Sequence, residues 1–193
     1  TDEWITTRSG IKERRILGPE ESVSDIGVNS ARIAMKKAGI GPEDIDAIIC
    51  ATFTGDTPCP ATACHIQHKL GAVNSFAFDI AAACSGFVYG LTVADSFIKN
   101  GVCRTALVVG SDGMTRFTDY QDRTTCVLFG DGGGCAIVQA NAPQGRILSH
   151  YMGTDGSMAE MIVIPAGGSR LPTTHETIDK GLHYIKMAGN EVY

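Results

Sequence analysis

The chain reads as an α/β protein built around a mainly parallel sheet, and three observations carry that reading. Short apolar runs rich in β-branched residues alternate three times with longer segments of helical periodicity. The helical segments stop at Gly or Asn. One of them is apolar on nearly every side, as expected of an element packed between layers.

From Ser22 to Ala38 the apolar residues Ile26, Ala31, Ala34, Met35 and Ala38 recur at roughly helical spacing, with Ser22 or Ser24 as N-cap and Gly39 as the stop. Ile45 to Phe53 (IDAIICATF) is a nearly continuous apolar run between GPED and TGDTPCP and predicts a buried strand. Pro60 stands just ahead of ATACHIQHKL, which ends at Gly71, an arrangement that predicts a helix. Phe76 to Ile80 predicts a second strand, Ser85 to Lys99 a helix closed by Asn100 and Gly101, and Thr105 to Gly110 a third strand. In the Ser85–Lys99 helix, Phe87, Val88, Leu91, Val93, Ala94, Phe97 and Ile98 leave almost no polar face, so burial on nearly all sides is expected. Cys126 to Gln139 (CVLFGDGGGCAIVQ) reads as two apolar runs separated by Asp131 and three glycines, which admit a close backbone neighbour. Arg146 to Tyr151 is expected to be a further strand, and Pro165 to Gly181 a long loop.

Composition narrows the function classes. The 193 residues are 44% hydrophobic and 19% charged, within the range of a folded globular chain, as one large domain or a tight pair. A formal charge of -5 has the wrong sign for a protein that neutralises a phosphate backbone, so no nucleic-acid partner is expected. No apolar run is long enough to span a bilayer, and no membrane partner is expected. Seven cysteines at irregular spacing, with no CxxC pair and no secretory signal, read as reduced thiols. The chain opens at Thr1 without Met and stops at Val192 and Tyr193 within what reads as a helix start, the pattern of a piece of a longer protein.

The stretch with the most chemistry is Phe78 to Gly90, FDIAAACSGFVYG, in which a strand runs through three alanines to Cys84 and then into the apolar helix. Unpaired N–H groups and the helix dipole stabilise negative charge at a helix start, and the small neighbours leave room for a substrate, so Cys84 is a nucleophile candidate. The competing reading is a small core residue, as for Cys50, Cys103, Cys126 and Cys135. Cys59, Cys64, His65 and His68 lack the paired spacing of a metal site, and GDGGG lacks the order of a dinucleotide-binding turn.

AAACSGFVYGL, together with VVGSD at Val108 to Asp112, FGDGGG at Phe129 to Gly134 and MAGNEVY at Met187 to Tyr193, resembles β-ketoacyl-acyl carrier protein synthase III. TDEWITTRSGIKERR at the start and DRTT at Asp122 to Thr125 resemble it as well, so the likeness runs through essentially the whole chain. The resemblance implies a thiolase-like fold of layered αβαβα architecture, represented here mainly by its N-terminal half. Residues 1–150 would form that half, lacking its first strand, and 151–193 the connecting loop and the start of the second half.

The activity implied is an acyltransferase that initiates fatty-acid synthesis. Cys84 takes an acyl group, typically acetyl, from acyl-coenzyme A and condenses it with malonyl-acyl carrier protein, releasing carbon dioxide. By the same resemblance Trp4, Arg8 and Arg123 hold coenzyme A, Phe129 and Met161 line the acyl channel, and Met187 and Gly189 line the pantetheine tunnel. Stacking on Trp4 and guanidinium–phosphate pairing suit the first three; a Trp anchoring a helix and two solvated arginines are the alternative. Cys59 matches a position that reaches across a dimer into the partner's acyl pocket, where a small side chain admits longer or branched primers. The His and Asn that stabilise the carbanion in the family are expected outside this chain. Arg8, Lys12, Arg14 and Arg15 form a basic cluster that suits an acidic carrier protein. No cofactor is implied, since acyl-coenzyme A is a substrate, and a homodimer is expected in the cytoplasm, or in a plastid if a transit peptide preceded Thr1. A starter-unit acyltransferase or synthase of secondary metabolism and a non-catalytic partner subunit are the competing readings.

Overall fold

A computed structural model describes residues 1–142 and 145–192, without the side chain of Asn190. In chain order the elements are α1 (Asp2–Ser9), α2 (Val23–Ala38), β1 (Ala47–Ala51), α3 (Thr62–Leu70), β2 (Phe76–Ile80), α4 (Gly86–Lys99), β3 (Thr105–Gly113), β4 (Asp131–Gln139), β5 (Ile162–Val163), α5 (His175–Asp179), β6 (Lys186–Met187) and α6 (Gly189–Val192). They fall into two compact units, residues 17–112 with 132–152 and residues 1–16 with 113–131 and 153–193. This division interleaves the chain.

The larger unit is a four-stranded sheet in the order β2-β1-β3-β4. β1 pairs in parallel with β2 (Ile49 opposite Phe78) and with β3 (Ile49 opposite Val108). β4 runs antiparallel to β3, since Gly133 stands against Gly110 and Ser111 while the Ala140 N–H donates to the Arg104 carbonyl. Side chains alternate across the sheet as the pleat requires. Ile48, Cys50, Leu107 and Val109 face α2 and α3 through Val28, Ala31, Met35 and Ile66. Ala47, Ile49, Ala106 and Val108 face α4 through Leu91, Ala94 and Phe97. The result is helix, sheet, helix, with every residue of β1 buried. Glycine brings α4 close to the sheet: a Cβ on Gly90 would lie 2.9 Å from Val108 Cγ1 and 3.7 Å from Ile49 Cγ2.

Aspartates tie the helix starts to the sheet. Asp79, on β2, accepts from the backbone N–H groups of Thr62 (2.6 Å) and Ala63 (2.8 Å) at the start of α3. Asp56 accepts from the N–H of Ser24 (2.9 Å) and its hydroxyl (2.6 Å) in the first turn of α2. Asp112 Oδ1 receives the Thr52 and Thr54 hydroxyls and the Phe53 and Thr54 N–H groups, folding the chain down as it leaves β1.

Several expectations need correction. The first strand is shorter than 45–53, because Ile45 closes a 3-10 turn onto Pro42 and residues 52–54 turn toward Asp112. Cys126 to Phe129 is not a strand; the Asp122 carbonyl gathers the N–H groups of Thr125 and Cys126 into a turn, and β4 runs straight through the glycines. Arg146 to Tyr151 is irregular and mostly exposed, with no pairing strand among the described residues. The loop from Pro165 carries the short helix α5, capped by the Thr174 hydroxyl. Burial of α4 is one-sided, since the sheet covers Gly86, Gly90 and Ala94 while Val88 is 53% exposed.

In the smaller unit, α1 is capped by the Thr1 hydroxyl and stops at Gly10, whose φ of 72° is the left-handed conformation glycine adopts without strain. β5 and β6 form an antiparallel pair with Ile162 opposite Met187.

Gly90→Val should destabilise the protein by about 1–3 kcal/mol, measured by urea denaturation, because neither Val108 nor the backbone of α4 has room to yield. A second expectation concerns pH. Lys69 Nζ sits 2.6 Å from Asp25, and this contact, with hydrogen bonds from Ser22, lowers the Asp25 pKa to about 2 from 3.8. A depressed carboxylate contributes stability that is complete above the unfolded value and lost as pH falls through the folded one. Carbon-detected titration should place Asp25 near 2, and Lys69→Met should move it back toward 3.8 while removing that part of the acid sensitivity.

Candidate active site

Cys84 owes its position to small residues. β2 ends at Ile80, two alanines follow, and a 3-10 turn over Ala83–Ser85 leads into α4. Ala83 has φ 43°, and among the described residues it is the one non-glycine with positive φ. Such a conformation costs about 1–3 kcal/mol and persists where surrounding structure imposes it. Two contacts impose it here. The Thr52 N–H donates to the Ile80 carbonyl (3.2 Å), which fixes the exit from β2. A Cβ on Gly86 would sit 3.0 Å from the Ala51 Cβ, so the first turn of α4 rests directly on the end of β1. The chain must reverse over a very short span, and Cys84 stands exposed on the outside of the bend. It lies in the turn before the helix, slightly upstream of the helix start that the sequence suggests.

The other thiols differ. Cys50 is fully buried, and burial, reinforced by the Asp79 charge, pushes its pKa up to about 12. Burial also raises Cys103 and Cys135. Besides Cys84 only Cys59 is exposed. Brief iodoacetamide treatment followed by peptide mass mapping should label Cys84 and Cys59 and leave Cys50 unmodified until the protein unfolds.

The smaller unit holds a cleft of about 730 Å3, a size ordinary for small-molecule sites. Five residues singled out in the sequence meet there: Trp4, Arg8, Arg123, Met187 and Gly189. The Arg8 guanidinium carbon lies 4.5 Å from the centre of the Trp4 ring, so a cation is stacked on the indole at the cleft wall. Ile5, Ser9, Thr124, Val127 and Leu128 complete the lining. A helix signal at residues 2–9 would have revealed Ile5 and Ser9, since positions 4, 5, 8 and 9 share one helical face. Phe129 and Met161 do not line this cleft; Phe129 is half-buried beyond the turn, and Met161 accepts the Ala188 N–H through its carbonyl.

The basic cluster is partly spent internally. Arg8 stacks on Trp4, Arg14 Nε (3.0 Å) and Nη2 donate to the Val127 carbonyl, and Arg15 pairs with Glu13. Arg8, Lys12 and Arg15 are exposed, as the docking expectation requires, whereas Arg14 is half-buried. His65 Nε2 and His183 Nδ1 are buried without hydrogen-bond partners. Among the described residues no group of three or more His, Cys, Asp or Glu side chains could hold a metal ion, and no helix is long and apolar enough to cross a membrane.

A strained turn presents an exposed thiol between a parallel strand and a sheet-packed helix, and the chain has the thiolase-like α/β fold of the solved structures it superposes on. Residues 78–156, which include this turn, match the family 3-oxoacyl-[acyl-carrier-protein] synthase III. The chain is similar to β-ketoacyl-acyl carrier protein synthase III and spans about 58% of the length of the curated relatives it matches. It is 48% identical over all 193 residues to the synthase III of Caldanaerobacter subterraneus subsp. tengcongensis and covers 58% of that protein. The crystal structure of 3-oxoacyl-acyl carrier protein synthase III from Aquifex aeolicus superposes with a TM-score of 0.85 at 42% identity, over the whole chain and 57% of that structure. The priming β-ketosynthase of the R1128 polyketide biosynthetic pathway superposes with a TM-score of 0.84 at 33% identity, over the whole chain and 56% of that structure.

Proposed function

We propose that the protein is a condensing enzyme that starts fatty-acid synthesis, with Cys84 as its nucleophile. The observation that carries the reading is the exposed Cys84 on the strained Ala83–Ser85 turn, within the segment that matches the synthase III family. The Cys84 sulfur attacks the carbonyl carbon of an acyl-coenzyme A, typically acetyl; the thioester passes to the cysteine and coenzyme A leaves as its thiol. Malonyl-acyl carrier protein then loses carbon dioxide, and the resulting carbanion attacks the acyl-cysteine carbonyl. A carbon–carbon bond forms, the cysteine sulfur departs, and 3-oxoacyl-carrier protein is released. Dividing transfer from condensation replaces one difficult step by two easier ones.

Trp4, Arg8 and Arg123 grip the nucleotide end of coenzyme A, with Met187 and Gly189 along its pantetheine arm; the support is their convergence on one cleft. Phe129 and Met161 line the acyl channel. No resident cofactor is needed, and the working form is a homodimer in the cytoplasm. The decarboxylation His and Asn come from outside these 193 residues, in keeping with a chain that spans 58% of its relative. Cys59, small and exposed, leaves the acyl pocket deep. Likeness to the R1128 priming ketosynthase keeps one second reading in view, a starter-unit synthase of secondary metabolism.

The test is peptide mass spectrometry of the full-length protein incubated with acetyl-, branched- and longer-acyl-coenzyme A and then with malonyl-carrier protein. An acetyl group on Cys84 that malonyl-carrier protein discharges is the expected result, and Cys84→Ala should abolish loading. Loading only by non-acetyl donors moves the assignment to the starter-unit synthase, and an unmodified Cys84 with every donor leaves a non-catalytic subunit. Cys59→Phe should narrow donor use toward acetyl-coenzyme A, measured by competition between acetyl and branched donors.

A further inference from the structure

The cleft of the smaller unit has one wall made of a turn with no regular secondary structure to stiffen it. Arg123, Thr124, Val127 and Leu128 all lie on it, while α1 supplies much of the opposite lining. A wall of this kind holds its shape only if its backbone groups are pinned from behind.

Two residues that do not line the cleft do the pinning. Asp122 Oδ1 accepts both the Thr124 N–H (2.9 Å) and the Thr124 hydroxyl (2.6 Å), closing a tight turn around Arg123. These bonds, with lesser help from the Lys186 charge, keep the Asp122 carboxyl below its ordinary range, so it is an anion behind the turn at neutral pH. At the other end, the Arg14 guanidinium donates through Nε and Nη2 to the Val127 carbonyl. The segment carrying Arg14 is itself anchored, because the Asp131 N–H donates to the Arg15 carbonyl (2.8 Å) and the Asp131 carboxylate receives the Thr115 N–H and hydroxyl. Arg14 therefore acts as an internal brace rather than as a free surface charge.

We propose that Asp122 and Arg14 are positioning residues that set the affinity of the cleft for the nucleotide end of acyl-coenzyme A, by holding Arg123 and Thr124 at one end of the wall and Val127 at the other. The inference rests on the reading of this cleft as the coenzyme site. Neither residue touches the ligand, and neither acts at the thiol.

The experiment uses the full-length protein and two donors, acetyl-coenzyme A and acetyl-pantetheine, which carries the same thioester without the nucleotide. Asp122→Ala should raise KM for acetyl-coenzyme A about tenfold, the scale of one or two lost hydrogen bonds, with kcat changed less than about twofold. Loading of Cys84 from acetyl-pantetheine should be unaltered. Asp122→Asn keeps an acceptor oxygen and should retain most of the affinity. Arg14→Met should reproduce the KM effect from the other end of the wall, and it serves if Asp122→Ala does not fold. An equal loss with both donors means a merely structural role and overturns the proposal, as does an unchanged KM. Trp4→Ala and Arg123→Ala separate the two levels of the argument. If they raise KM for acetyl-coenzyme A and the Asp122 and Arg14 variants do not, the positioning role alone fails. If they too leave it unchanged, the coenzyme reading of the cleft fails and the positioning role with it.

Discussion

Burial of β1 on both faces is the constraint from which the larger unit follows. Its five residues, Ala47 to Ala51, sit at the middle of a sheet with α2 and α3 on one side and α4 on the other, and none retains appreciable contact with solvent. A strand in that position cannot carry a polar side chain without a partner. Its residues must also be small where a helix crosses closely. Ala51 meets that second demand, and Gly86 answers it from the helix, so that the start of α4 lies against the backbone of the sheet. The exposed thiol is a by-product of this closeness. With β2 and α4 both held near the end of β1, the intervening residues have one tight path, and Ala83 absorbs the conformational cost.

Polar chemistry supports the same frame. Asp79 and Asp112 each gather two backbone N–H groups, and Asp56 takes one with the Ser24 hydroxyl, donors that would otherwise lie unpaired near the sheet. Their shared position, at or just past the C-terminal ends of β1, β2 and β3, is also where open α/β sheets carry their working residues. The loops there have to be firm as well as exposed, and carboxylates accepting several hydrogen bonds provide that firmness without occupying the surface.

Much of this was legible in the sequence because it depends on local signals. The caps at Ser22 and Gly39, the stop at Gly71 and the run Phe76–Ile80 were readable from residue type and spacing, and so was the thiol between strand and helix. Elements whose form is decided by distant partners were not. Cys126 to Phe129 carries strand-forming residues, yet the Asp122 carbonyl and Arg14 draw it into a turn. Asp131 to Gly134 reads as an interruption, yet pairing with β3 makes it strand, and at Gly133 only a hydrogen in place of a side chain allows Ile26 and Ser111 to come so near. Arg14 looks like surface charge until Val127 is found beneath it. For the cleft, Trp4, Arg8 and Arg123 were recognisable through resemblance, whereas Val127 and Leu128 required the fold of the turn.

Trp4 is the only tryptophan in the chain, it is half exposed, and it stands in the cleft with a guanidinium stacked on its ring. Indole emission from these 193 residues therefore comes from a single place. The stacked Arg8 is positioned to perturb it, and any aromatic group that displaced or sandwiched that arginine would change the intensity and wavelength directly. The cleft thus contains its own optical probe, and occupancy can be followed in the unlabelled protein.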